Sequence, residues 1–161
     1  MREIAVFSGN AHPELARELC LNLGVPLLPV RIQRFANDCL EVQLQANCRE
    51  RDVFLIQPLS PPVQEHLVEL LLMIDAARGA SAARITVVMP FYGYARQDKK
   101  HLGREPISAR LIADLFKTAG ADRLITVDLH TAQIQGFFDG PVDHLAAMPV
   151  LADYVARNYA D

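Results

Sequence analysis

Apolar residues recur along this chain with two alternating periods. Short, nearly unbroken apolar runs at residues 4–7, 53–56, 85–89 and 124–127 predict strands of the buried, parallel type. Between them lie stretches with apolar residues three and four apart, the helical spacing. The first opens at Pro13, carries Leu15, Leu19 and Leu23 on one face and stops at Gly24. The second starts at Pro61-Pro62, runs to about Arg78 and stops at Gly79, with proline opening and glycine closing the helix. A third runs from Pro106 to about Ala119, and a fourth opens at Pro149 with Val150, Leu151, Tyr154 and Val155. Residues 27–32 and 40–44 predict a strand pair around the turn-rich Arg34-Phe-Ala-Asn-Asp38. The second of these alternates Leu40, Val42 and Leu44 against Glu41, Gln43 and Gln45, so one face meets water. The order βαβββαβαβα predicts an α/β fold: an open, mostly parallel sheet flanked by helices, with a short antiparallel excursion.

Composition adds limits. At 161 residues, 51% hydrophobic and 22% charged, the chain fits one domain with a substantial core. A net charge of -3 gives no general case for nucleic acid or an anionic membrane. The longest apolar stretch, Leu70 to Ile74, is bounded by Glu69 and Asp75, too short for a membrane span. Cys20, Cys39 and Cys48 form no CxxC pair, which suggests neither a disulfide framework nor a zinc site and fits a reducing cytoplasm. No signal peptide is expected, because the N-terminus enters a short strand directly.

The densest chemistry lies in Tyr94-Ala-Arg-Gln-Asp-Lys-Lys-His-Leu-Gly-Arg-Glu-Pro-Ile-Ser108. Arg96, Lys99, Lys100 and Arg104 fall within nine residues, with only Asp98 opposing them. A strand-to-helix loop lies at the carboxyl edge of an α/β sheet, where such folds bind ligands, and a cationic loop there suits several phosphates. The same spacing also fits a solvated charged loop. In Val127-Asp-Leu-His-Thr131, Asp128 and His130 stand two apart after a strand, and in extended backbone they face the same way. Together they could ligate a divalent cation, with Asp139 and Asp143 nearby; a lone histidine there also fits a hydrogen-bonded structural role. Ser8-Gly9-Asn10 between the first strand and helix could hold an anion on its amides, but neither GxGxxG nor GxxxxGK[ST] is present. No GxSxG serine or Cys–His pair supports covalent acyl chemistry.

Together these segments resemble the ribose-phosphate pyrophosphokinase (phosphoribosyl pyrophosphate synthetase) family. The resemblance rests on Phe7-Ser-Gly-Asn-Ala-His-Pro-Glu-Leu-Ala16, Arg34-Phe35, Asp52-Val-Phe-Leu-Ile-Gln57, Glu69-Leu-Leu-Leu-Met-Ile-Asp75 and Ser81-Ala-Ala-Arg-Ile85. Tyr94-Ala-Arg-Gln-Asp98, Pro106-Ile-Ser-Ala109, Asp128-Leu-His130 and Gln133-Ile-Gln-Gly-Phe-Phe-Asp139 extend it, in the same order along the chain. The resemblance implies Mg2+-dependent transfer of diphosphate from ATP to ribose 5-phosphate, giving phosphoribosyl pyrophosphate and AMP. It implies that Arg96 and Gln97 contact ATP, that the loop carrying Lys99, Lys100 and Arg104 closes over the site, and that His130 with Asp128 holds the metal. It further implies that Phe35, Asn37 and Cys39 reach the adenine pocket of a neighbouring subunit, in a homo-oligomer of dimers forming a hexamer. Cys39 stands where the family usually has Glu. The family's second domain, with its acidic, Thr/Gly-rich ribose-phosphate loop, has no counterpart in residues 1–161. The chain is therefore expected to be a single N-terminal domain, inactive by itself. The alternative is a non-catalytic nucleotide- or phosphate-binding subunit assembling with active homologues.

Overall fold

A computed structural model describes residues 2–159. The elements run β1 (Ile4–Ser8), α1 (Pro13–Leu23), β2 (Leu27–Leu28), β3 (Val30–Arg34), β4 (Leu40–Leu44), β5 (Asp52–Ile56), α2 (Val63–Gly79), β6 (Arg84–Val88), α3 (Ser108–Ala119), β7 (Arg123–Val127), a 3-10 helix (Ala132–Phe137), β8 (Val142–Leu145) and α4 (Met148–Tyr159). Six strands form one sheet in the order β2-β1-β5-β6-β7-β8, every neighbouring pair parallel. β3 and β4 form a separate antiparallel ribbon, with Ile32 opposite Val42.

The strand alternation decides which helix packs where. Ala5 and Phe7 of β1, Val53 and Leu55 of β5, and Ile85 and Val87 of β6 point to the face covered by α2 and α3. Their neighbours Val6, Ile56 and Val88 point to the face covered by α1 through Ala16 and Cys20. Phe7, Leu55, Leu70, Met73, Ile74 and Phe116 are fully buried, and that apolar burial is the main source of stability.

The departures from the sequence reading have local causes. The run at 27–32 is two strands. Leu27-Leu28 joins the main sheet beside β1, and Pro29 separates it from β3, since proline has no N–H to extend a ladder. α2 begins at Val63 and contains Gly79, with Ala80 capping it. α3 begins at Ser108. β8 and the 3-10 helix carried no periodic signal; β8 reads Val-Asp-His-Leu, half polar because it lies at the sheet edge. Helix α4 forms where Pro149 predicted one, but among its described residues none is buried.

Candidate active site

The carboxyl ends of β6 and β7 lie side by side in the parallel sheet, so the segments that follow them leave from one edge. Val127 N–H donates to Pro90 O (3.2 Å) and fixes the start of both. After β6, Tyr92 is buried and its hydroxyl donates to Ala109 O (2.7 Å). Burial pushes its phenol well above the ordinary range, the Asp114 carboxylate adding to the shift, so it stays a protonated packing group. Ala95 N–H donates to Tyr92 O (3.0 Å), Gln97 N–H to Tyr94 O (3.0 Å) and Ala109 N–H to Gln97 O (3.1 Å). These bonds hold residues 92–98 in compact turns against α3.

Within this frame a cavity of about 510 Å³ is lined by Phe91, Tyr92, Arg96, Asp128 and His130, among others. Arg96 and His130, distant in sequence, thus border one space. Lys99 and Gln97 line an adjoining hollow with Arg96, His101 and Glu105, about 260 Å³ in volume. Lys100 and Arg104 are exposed beyond it, and Arg104 has the left-handed φ of 69°. Among the described residues none of Arg96, Lys99, Lys100 and Arg104 pairs with a carboxylate. Asp98 does not oppose them as expected. It is 5% exposed and accepts from Thr131 Oγ1 (2.8 Å). That bond, ahead of smaller contributions including the nearby His130 and Lys99, holds its carboxyl below the ordinary aspartate value. Glu105 turns back to accept the His101 and Leu102 N–H groups (2.8 and 2.9 Å), which lowers its pKa as well.

Asp128 and His130 share the cavity for a reason different from the expected one. Asp128 is not extended but left-handed, with φ 47°; aspartate tolerates this conformation better than most residues. Its carboxylate accepts Ala147 N–H (3.2 and 3.4 Å), and Leu129 N–H donates to His144 Nε2 (3.0 Å). His144 therefore positions the turn, a role its spacing did not suggest. One N–H leaves most of the Asp128 lone pairs available. Among the described residues no group of three or more His, Cys, Asp or Glu could hold a metal. Asp128 and His130 both border the cavity, but the two alone do not make such a group. Asp143 and Asp139 do not join them. Asp143 pairs with Arg123 (2.7 Å), and Asp139 borders a separate groove with Arg110 and Lys117.

Two other expected features lie elsewhere. The Ser8-Gly9-Asn10 turn is no anion cradle: its amides are already used. Gly9 N–H donates to Ile56 O (3.0 Å), Asn10 N–H to Glu69 Oε1 (2.6 Å) and Ala11 N–H to Gln57 Oε1 (3.0 Å). Phe35, Asn37 and Cys39 sit on the exposed β3–β4 turn, closed by Phe35 N–H to Cys39 O (2.9 Å) and Cys39 N–H to Asn37 Oδ1 (3.2 Å). None of the three lines the Arg96–His130 cavity; Cys39 borders a different groove, with Arg34, Glu65 and Val68 among others.

The fold defines an open parallel α/β domain with its crevice at the carboxyl edge of the sheet, the usual ligand position for that class. Comparison with known proteins narrows the class. Residues 4–120 match the family described as the N-terminal domain of ribose phosphate pyrophosphokinase, and the chain belongs to that family. A Streptomyces avermitilis ribose-phosphate pyrophosphokinase is 62% identical over 98% of this chain and 48% of its own length. One from Corynebacterium efficiens is 56% identical over 98% of this chain and 49% of its own. The crystal structure of phosphoribosylpyrophosphate synthetase from Mycobacterium smegmatis superposes with a TM-score of 0.96 at 52% identity, covering 99% of this chain and 54% of that one. This chain spans about half the length of the curated relatives it matches.

Proposed function

We propose that this chain supplies the ATP-side wall of a ribose-phosphate diphosphokinase, which transfers diphosphate from ATP to the anomeric hydroxyl of ribose 5-phosphate. The products are phosphoribosyl pyrophosphate and AMP. The observation that carries the reading is one cavity bordered by Arg96, Asp128 and His130, beside a hollow lined by Lys99, in a chain whose relatives are named for this activity. Transfer of this kind needs positioning and charge neutralisation more than a protein nucleophile. Arg96 and Gln97 hold the nucleotide, and Lys99, Lys100 and Arg104 bring further positive charge from the exposed loop. Asp128 and His130 are the residues that would hold Mg2+. Bound Mg2+ supplies charge neutralisation at phosphate oxygens.

Phe35, Asn37 and Cys39 form the adenine-facing turn for a neighbouring copy, in a homo-oligomer of dimers forming a hexamer. The ribose 5-phosphate pocket belongs to a second domain, in the half of the relatives' length that this chain does not span. The setting is the cytoplasm; no helix among the described residues is long and apolar enough to cross a membrane.

A second reading, a nucleotide- or phosphate-binding subunit without turnover, is favoured by Cys39, whose exposed thiol is a weak acceptor for a base or ribose. Calorimetric titration with Mg-ATP tests both. Arg96→Ala is expected to weaken binding by about 1.5–3 kcal/mol, the scale of one hydrogen bond to a charged group, while leaving the thermal transition in place. AMP release by a full-length protein containing this chain supports the first reading, binding without turnover supports the second, and no binding of Mg-ATP removes both.

A further inference from the structure

Among the described residues, one side-chain hydrogen bond joins the cationic loop to the turn carrying His130: Thr131 Oγ1 to Asp98 Oδ2, 2.8 Å. Two observations mark it as more than incidental. Thr131 occupies the N-cap position of the 3-10 helix, where a threonine hydroxyl ordinarily accepts from the first turn. Its side chain makes no capping bond and donates to Asp98 instead. Asp98 lies in a run of cations yet forms an ion pair with none of them, burying its carboxylate at 5% exposure.

Asp98 also marks a boundary. Up to that point the backbone is tied down, through Gln97 N–H to Tyr94 O and Gln97 O to Ala109 N–H. Beyond it residues 99–104 are exposed, and among the described residues their hydrogen bonds reach no further than Glu105. The turn holding His130 is fixed from its other side by His144 and Ala147.

We propose that Asp98 and Thr131 are positioning residues: a latch that ties the root of the cationic loop to the His130 turn, so that Arg96 and His130 border one cavity while residues 99–104 stay free to move. The functional consequence rests on the nucleotide reading given above; the latch itself does not.

The test uses Thr131→Val, which keeps the shape and removes the donor, and Thr131→Ser, which restores it. Amide exchange resolved by NMR is the primary readout. In Thr131→Val, exchange at Gln97, Ala109 and Leu129 should accelerate about tenfold, the scale expected when a buried carboxylate loses one charged hydrogen bond. Amides of β1 and β5 should not change, and Thr131→Ser should return all three to the parent rates. Asp98→Asn, which keeps an acceptor without the charge, should give a smaller rise at the same amides. Acceleration confined to Leu129 and Ile134, with Gln97 and Ala109 unchanged, would reduce Thr131 to a local turn residue and overturn the latch, as would failure of Thr131→Ser to rescue. Mg-ATP affinity should fall in Thr131→Val and recover in Thr131→Ser. A parent chain that binds no ATP would sink the nucleotide reading, while the exchange rates still decide the latch.

Discussion

Two strand-to-helix segments leave the same edge of the sheet, and they treat their polar groups in opposite ways. The β1–α1 turn is closed by an internal anion. Glu69, 1% exposed, accepts from Asn10 N–H and Asn10 Nδ2 and from Gln57 Nε2 (2.6, 3.0 and 2.7 Å), so the donors that could have held a ligand hold a side chain of α2. The β6–α3 segment ties up its two carboxylates locally, Asp98 on Thr131 and Glu105 on the His101 and Leu102 N–H groups, and among the described residues leaves Arg96, Lys99, Lys100 and Arg104 without an ion pair. Topology places both segments where ligands bind. Whether a site is open depends on whether the protein has already supplied the counter-charge.

That contrast can be broken from the closed side. Glu69→Ala should cost the most, about 3 kcal/mol, because it leaves buried donors of Asn10 and Gln57 without their acceptor; urea unfolding with an unchanged m-value would check it. A gain of anion binding at the vacated turn in that variant would show that only the missing counter-charge separates the two loops. Gly9→Ala comes next. A Cβ there would stand 2.5 Å from Gln57 Cδ and 2.5 Å from Glu69 Oε1 and would also strike Gln57 Oε1, so the network must shift, at about 2 kcal/mol by the scale of overpacking. The same measurement applies, and an unchanged midpoint would mean that the turn gives way freely.

The smallest effect belongs to the open side. Asp98 is lowered first by the Thr131 bond and Glu105 first by the Leu102 and His101 N–H groups. A carboxylate held lower in the folded state stabilises above its unfolded pKa, and that stability is lost as pH falls through the folded value. The unfolded references are 3.8 for Asp98 and 4.5 for Glu105. Acid titration should therefore erode stability below pH 4.5, and the Asp98 share should shrink in Thr131→Val, which removes its largest cause. An identical acid profile for that variant would contradict the assignment.

The buried strands and the four α-helices were legible because their signal is local. A parallel strand such as β5 must be apolar on both faces, and α3 carries its apolar stripe in its own sequence. α3 and α4 also mark where legibility stops. Both read as amphipathic, yet α3 buries Ile112, Ala113 and Phe116, while Leu151, Tyr154 and Val155 of α4 are more than half exposed. Periodicity says which face seeks cover and not what covers it. β8 was illegible because an edge strand need not be apolar, and its place is set by pairing to β7.

For the site, the cationic loop and the Asp128-Leu-His130 segment could be named from residue type, spacing and position after a strand. Their union in one cavity came from the adjacency of β6 and β7, a non-local pairing that no window of sequence contains. The inward turn of Asp98, the placement of Leu129 by His144 and the filling of the Gly9 turn by Glu69 were likewise decided only by the fold. Hydrogen-bond partners 15 to 59 residues apart become neighbours only when the sheet assembles. The sequence alone determined which groups this protein has to offer; the tertiary structure decided which are already taken, because a polar group once buried must find its partner wherever the chain brings one.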